Sequence, residues 1–139
     1  MKQRTFSIIK PDAVAEGHAG DILAMLEKAG FRILALRMTR LTLPEAEGFY
    51  AVHRARPFFP SLVKFMTEGP IIVMALERED AIAKLREVMG ATNPANAAEG
   101  CIRRNFAQSI ERNCIHGSDA PETAEVELRY FFSTLDLQA

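Results

Sequence analysis

Phe31-Arg32-Ile33-Leu34-Ala35-Leu36-Arg37-Met38-Thr39-Arg40-Leu41 alternates along its whole length, with Leu34, Leu36 and Met38 assigned to one face and Arg32, Arg37 and Arg40 punctuating it. Alternation of period two is the mark of a half-buried strand. A strand this long and this early in a chain suits antiparallel pairing. Upstream, the segment from Gly20 to Gly30 reads as a helix bounded by glycines, with Ile22, Leu23, Leu26 and Ala29 on its buried side. Before that, Thr5 to Ile9 alternates and carries β-formers, so it reads as a first strand that Lys10-Pro11-Asp12 ends.

Downstream, Thr42-Leu43-Pro44-Glu45 has the spacing of a capping box and opens a helix through Tyr50 to about His53. Arg54-Ala55-Arg56-Pro57-Phe58-Phe59-Pro60 is a proline-framed turn, and Leu62, Val63, Phe65 and Met66 form the apolar side of another short helix. Ile71 to Leu76 is uninterruptedly apolar, as expected of a buried central strand. A helix from about Glu79 to Met89 follows, with Ile82, Leu85, Val88 and Met89 inward and Gly90 at its end. From Gly90 to about Asn105 no periodicity is visible, and a loop of that length inside a compact domain usually carries function. A last helix from about Pro121 would bury Ala124, Leu128, Phe131, Phe132 and Leu135. The order predicts an α+β fold, a ferredoxin-like βαββαβ sandwich with a four-stranded antiparallel sheet, as one domain over residues 1–139.

The balance of 17 Lys and Arg against 18 Asp and Glu gives a net charge of -1, which offers no support to a generic nucleic-acid or membrane-surface binder. No apolar run reaches the length of a membrane span. Met1-Lys2-Gln3-Arg4 runs into a short alternating segment without the longer apolar stretch of an export signal, so a cytoplasmic location is expected. Cys101 and Cys114, the only cysteines, are then expected as free thiols, and without a fourth ligand or a C-x-x-C they make no zinc site.

Chemistry concentrates at Asn113-Cys114-Ile115-His116-Gly117-Ser118-Asp119-Ala120. Ile115 reads as a strand end, Asp119 with Glu122 as a capping box, and Pro121 suits a first helical turn. His116 would sit at a strand-to-helix corner beside helix N–H groups, a setting that attracts phosphate. Imidazole there is a competent nucleophile toward phosphorus. A lone histidine at a corner is, by itself, an ordinary hydrogen-bonded residue. Phosphoryl transfer also needs positive charge on the transferring oxygens and in-line positioning. Lys10, Arg86 and Arg103 can supply the charge, Thr92 and Asn113 neutral hydrogen bonds, Phe58 a stacking surface, and Glu127 a carboxylate to orient the imidazole. The chain has no G-x-x-x-x-G-K-[ST] and no G-x-G-x-x-G after a strand, so any nucleotide binds without a glycine-rich phosphate loop.

The ordered set Ile9-Lys10-Pro11-Asp12, Arg56-Pro57-Phe58-Phe59, Gly90-Ala91-Thr92-Asn93-Pro94, Ile102-Arg103 and Asn113-x-x-His116-Gly117-Ser118-Asp119 resembles nucleoside diphosphate kinase, in order and spacing, from Arg4 to about Phe132. The resemblance implies reversible transfer of the terminal phosphate of ATP or another nucleoside triphosphate to a nucleoside diphosphate, by a ping-pong route through a phosphohistidine. It implies His116 as nucleophile, with Ser118 and Glu127 holding the imidazole in register. Lys10 would contact the phosphate and ribose, Asn113 the ribose, and Arg86, Thr92 and Arg103 the phosphate chain. Tyr50 would line the site near Lys10, and Phe58 with Leu62 would clamp the base. Mg2+ would arrive with the nucleotide, held mainly by its phosphates rather than by protein ligands. The family self-associates through a common dimer into tetramers or hexamers. Ala120, Cys101, Asn105 and Arg78 depart from its usual serine, threonine, aspartate and glycine. The alternative reading is a catalytically silent nucleotide-binding or regulatory ferredoxin-like domain. Neither a membrane nor a specific nucleic acid is an expected partner.

Overall fold

The computed structural model describes residues 2–137, so Met1, Gln138 and Ala139, at the ends of the expected domain, lie outside the described residues. Strands β1 (Lys2–Ile9), β2 (Arg32–Thr39), β3 (Ile71–Glu79) and β4 (Ile115–Gly117) form one sheet in the order β2-β3-β1-β4. Every pairing is antiparallel. Helices α1 (Pro11–Ala15) and α2 (Ala19–Lys28) join β1 to β2, and α3 (Leu43–Phe49) and α4 (Phe59–Met66) join β2 to β3. Then α5 (Ala81–Met89) and α6 (Ile102–Phe106) lead to β4, and α7 (Pro121–Phe131) follows it. This is the ferredoxin-like α+β arrangement, with a helical hairpin inserted between β2 and β3.

Both faces of the sheet are covered. Phe6, Ile8, Val73 and Ala75 meet Ala46, Val63, Phe65 and Leu128 of α3, α4 and α7 on one side. Ile9, Ile72, Met74 and Leu76 meet Ile22, Leu26, Leu85 and Ile102 of α2, α5 and α6 on the other. A central strand buried on both faces has no reason to alternate, which is why Ile71–Leu76 reads as continuous apolar sequence. The capping box at α3 forms as expected: Glu45 N donates to Thr42 Oγ1 at 3.3 Å and Thr42 N donates to Glu45 Oε1 at 2.8 Å.

Several local expectations are corrected. Leu34, Leu36 and Met38 do not share a face, because the register passes from Ile33↔Leu76 to Ala35↔Ala75 and leaves Leu34 as an extra residue. Such a bulge reverses the side-chain alternation beyond it. Leu34 is therefore buried, whereas Leu36 and Met38 are 45% and 57% exposed beside Met74 and Ile72 on the opposite face. At α7 the N-cap is Ala120, without a side-chain cap hydrogen bond, so the Asp119–Glu122 capping box does not form. The helix opens one residue later than that pattern requires. Leu135 lies beyond the end of α7, in the turn Leu135–Leu137, and is exposed. Lys10-Pro11-Asp12 does more than end β1, since Pro11 occupies the first turn of α1 and Asp12 is buried. Part of the expected loop after Gly90 is the short helix α6.

Among the departures, Arg78 reaches the carbonyl of Ala29 at the end of α2 and lies 5.6 Å over the Phe31 ring. Cys101 packs its sulfur where a side chain at Gly90 would fall, 2.3 Å from that position, so Gly90 must stay bare. Both cysteines are buried free thiols. Asn105 is exposed on α6. Among the described residues, no helix is long and apolar enough to cross a membrane.

Candidate active site

A cavity of about 720 Å³ opens beside β4, between α3–α4, α7 and the segment 86–113. That volume is ordinary for a small-molecule site. Its floor is His116, which β4 presents in the step before the chain turns into α7. Glu127, two turns into α7, accepts from His116 Nε2 at 2.8 Å. Ser118, fully buried, donates to the same Oε1 at 2.7 Å. With Nε2–H engaged by a carboxylate, the lone pair sits on Nδ1. The ring is boxed by aromatics, with the Phe49, Phe6 and Tyr50 centroids at 5.6, 6.1 and 6.5 Å. Ser7 Oγ donates to the His116 carbonyl at 2.7 Å and holds the backbone beneath it. The imidazole therefore has one orientation.

Positive charge enters from the ends of other elements. Lys10, the residue after β1, is buried, and its Nζ donates to Asn113 Oδ1 at 2.8 Å. Burial first, and the neighbouring Arg103 second, lower its proton affinity to about 8. Arg103 of α6 donates to the carbonyls of Ile115, Gly90 and Asn113 at 2.7, 3.0 and 3.3 Å. A guanidinium has five N–H donors, so Arg103 both ties the segment together and keeps capacity for an anion. Burial is also the chief cause pulling its proton affinity down. Arg86 is exposed on α5 and reaches the same cavity.

Asn113 is aimed by an unusual step. Cys114 has φ 62, a left-handed conformation rare outside glycine. Its N–H donates to the buried Asp12 carboxylate at 3.1 Å, and its carbonyl accepts from Lys10 N at 2.8 Å. Desolvation raises the Asp12 proton affinity and pushes the Cys114 thiol up to about 12, so the thiol stays protonated and is no nucleophile there. Asn113 Nδ2 is 3.4 Å from the Thr92 carbonyl, which ties the loop after α5 to the same corner. Tyr50 has a buried hydroxyl with no partner among the described residues, and burial with the Glu127 charge keeps its proton on.

The structure thus gathers Lys10, Tyr50, Phe58, Leu62, Arg86, Thr92, Arg103, Asn113, His116 and Glu127 around one cavity, with Ser118 behind Glu127. Val52, His53, Ile110, Glu111, Asp119 and Thr123 also line it, beyond those picked out as site residues. Ile110 and Phe58 are exposed large apolars, 59% and 46% accessible, at the open end. Asp119 turns to the cavity instead of capping α7. The only sequence signal for Ile110 was an apolar residue in a polar turn, and that is weak.

A family model described as "Nucleoside diphosphate kinase" matches residues 3–137. The chain belongs to the nucleoside diphosphate kinase family. A nucleoside diphosphate kinase of Nitratidesulfovibrio vulgaris (strain Hildenborough) is 58% identical over 137 residues, 99% of each chain. One from Halorhodospira halophila is 60% identical over 130 residues, 94% of this chain and 92% of that one. Among solved structures, the Aquifex aeolicus nucleoside diphosphate kinase superposes with a TM-score of 0.97 at 44% identity, over 99% of each chain. The Halobacterium salinarum nucleoside diphosphate kinase, solved in complex with CDP, gives 0.95 at 38% identity, over 100% of this chain and 93% of that one. Nucleoside diphosphate kinases are phosphotransferases of nucleotide metabolism, and this chain is one; the catalytically silent alternative is not favoured.

Proposed function

We propose that the chain shuttles the terminal phosphate of ATP or another nucleoside triphosphate to a nucleoside diphosphate through a phosphohistidine on His116. The observation carrying this reading is the chain Ser118–Glu127–His116 at the cavity floor. Nδ1 attacks the terminal phosphorus, the bond from phosphorus to the bridging oxygen breaks, and its electron pair leaves on the nucleoside diphosphate. Glu127 neutralises the cation that forms on the phosphorylated ring, and a second nucleoside diphosphate reverses the step. Lys10, Arg103 and Arg86 are arranged to stabilise charge on the transferring and departing oxygens, with the Tyr50 hydroxyl and Thr92 as neutral donors. Asn113, fixed by Lys10, suits the ribose. Phe58 and Leu62 suit one face of a base, and Ile110 the other. Apolar walls and stacking discriminate weakly among bases, which fits an enzyme that accepts several nucleotides. The same groups serve both half-reactions, so one site suffices.

Mg2+ keeps several waters and binds phosphate oxygens readily, and Asp119 is an exposed carboxylate lining the cavity that can take such waters. Bound with the nucleotide, it would offset phosphate charge during transfer. Cytoplasmic activity is proposed with the reading, on the reduced thiols. Self-association into a dimer-based tetramer or hexamer is proposed as well. Its support is the eight-residue edge strand β2, with the exposed Leu36 and Met38 on its face beside Met74 and Ile72.

His116→Ala should abolish ATP-to-nucleoside-diphosphate exchange, by at least about 10⁴-fold, with circular dichroism unchanged. Substantial exchange by that variant would refute the reading.

A further inference from the structure

The open end of the cavity is bounded by two segments far apart in sequence, α4 with its N-cap Phe58 and the turn 107–112 carrying Ile110. α4 is anchored by Val63, Phe65 and Met66 in the core. The turn is closed by its own bonds, Gln108 N and Ser109 N both donating to the Arg112 carbonyl and Arg112 N to Ser109 Oγ, and Gln108 Nε2 donates to Glu16 after α1. What joins the turn to α4 is a pair of side-chain links. Ser61 Oγ lies 2.8 and 3.0 Å from the two carboxylate oxygens of Glu111. Arg112 pairs with Glu68 at 2.9 Å and places its guanidinium 4.9 Å over the Phe65 ring.

We propose that Ser61–Glu111 and Glu68–Arg112 form a clasp whose function is to set the spacing of Phe58 and Ile110, making these four positioning residues for the nucleoside half of the substrate. The inference rests on the cavity being the nucleotide site. Exposed pairs of this kind contribute little to global stability. They act here on a gap, and a stacking slot loses contact energy steeply when its walls separate by a fraction of an ångström. Nothing in the clasp touches the His116–Glu127–Ser118 chain, so transfer itself should not depend on it. Glu111 has a second route of influence, because its charge raises the proton affinity of Lys10. Glu111→Gln separates the two: it removes the charge but keeps a carbonyl oxygen that accepts from Ser61.

The test compares the full-length wild type with Ser61→Ala, Glu111→Ala, Glu111→Gln, Arg112→Glu and the swapped pair Arg112→Glu with Glu68→Arg. KM for a nucleoside diphosphate and kcat are read beside the rate at which phosphoramidate, a donor with no base, phosphorylates the protein. Ser61→Ala should raise KM by about 3- to 10-fold with kcat within about twofold and the phosphoramidate rate unchanged, and Glu111→Ala should raise KM by a similar factor. Glu111→Gln should stay near wild type, and the swapped pair should recover most of what Arg112→Glu loses. Unchanged KM in both alanine variants overturns the clasp. So does a matching loss with phosphoramidate in Ser61→Ala, or a Glu111→Gln variant whose KM is raised as much as that of Glu111→Ala. A wild type that takes phosphate from neither ATP nor phosphoramidate overturns the reading of the site, and the clasp with it. A wild type active with both, whose variants match it, removes the clasp alone.

Discussion

The two ends of the cavity are made differently. At the closed end the charged and catalytic groups hold one another: His116 is held by Glu127, Glu127 by Ser118, Asn113 by Lys10, and the Arg103 guanidinium by three carbonyls. At the open end Phe58, Ile110 and Val52 are exposed, and the wall residues are joined through surface side chains. The first is a rigid field, arranged before substrate arrives, which is where transition-state stabilisation comes from. The second is an adaptable slot. On the proposed reading, the chemistry needs one geometry and a range of bases needs several, and the two needs fall at opposite ends of one cleft.

Substitutions at the closed end should therefore lower kcat, and those at the open end should raise KM. Lys10→Ala removes a buried donor and leaves Asn113 Oδ1 without its partner. It should lower kcat/KM by about 10²–10³-fold, read in a coupled exchange assay. Glu127→Gln keeps the size and loses the charge that balances the phosphorylated ring, and kcat should fall by about 10- to 100-fold with KM little changed. At the other end, Phe58→Ala should raise KM by about 5- to 10-fold, the low end for lost base stacking because the ring is half exposed, while kcat holds. Equal effects of the last two variants on both parameters would dissolve the distinction.

Lys10 sharpens it further through pH. Its proton affinity is lowered from 10.5 to about 8, so the free enzyme should lose kcat/KM as pH rises through about 8. Stability should move the opposite way. Between about 8 and 10.5 the unfolded chain holds the proton that the folded chain has released, so this residue's contribution to stability rises over that window. A kcat/KM profile flat across that window would remove Lys10 from the phosphate field. The smallest effect is expected away from the cavity. Ala120 caps α7 in extended conformation with no side-chain acceptor, so Ala120→Ser should stabilise the fold by about 0.5–1 kcal/mol, measurable by urea denaturation.

How far the sequence discloses these features depends on how local their causes are. The run Ile71–Leu76 and the box Thr42–Glu45 are local patterns, and both appear as read. The motif blocks around Lys10, Phe58, Thr92, Arg103 and His116 are legible as residue types, but only the strand order brings them together: β4 pairs with β1, so Ile8 lies opposite His116 and Lys10 falls beside Asn113. The bulge at Leu34 was invisible because alternation continues in sequence while the pairing slips. The left-handed Cys114 depends on Asp12, about a hundred residues away. Ile110 and Glu111 gain meaning only from α4 opposite them. Patterns of period two or 3.6 report which way a side chain faces, and not what faces it.

The most direct test of the central claim is the site of phosphate on the protein. The enzyme is incubated with Mg2+ and γ-labelled ATP without acceptor, and the labelled residue and ring nitrogen are then identified by peptide mapping and phosphorus NMR. The account predicts acid-labile phosphate on Nδ1 of His116, discharged by any nucleoside diphosphate, because Nε2 is engaged by Glu127. Phosphate on Nε2, on another residue, or absent while nucleotide still binds would contradict it.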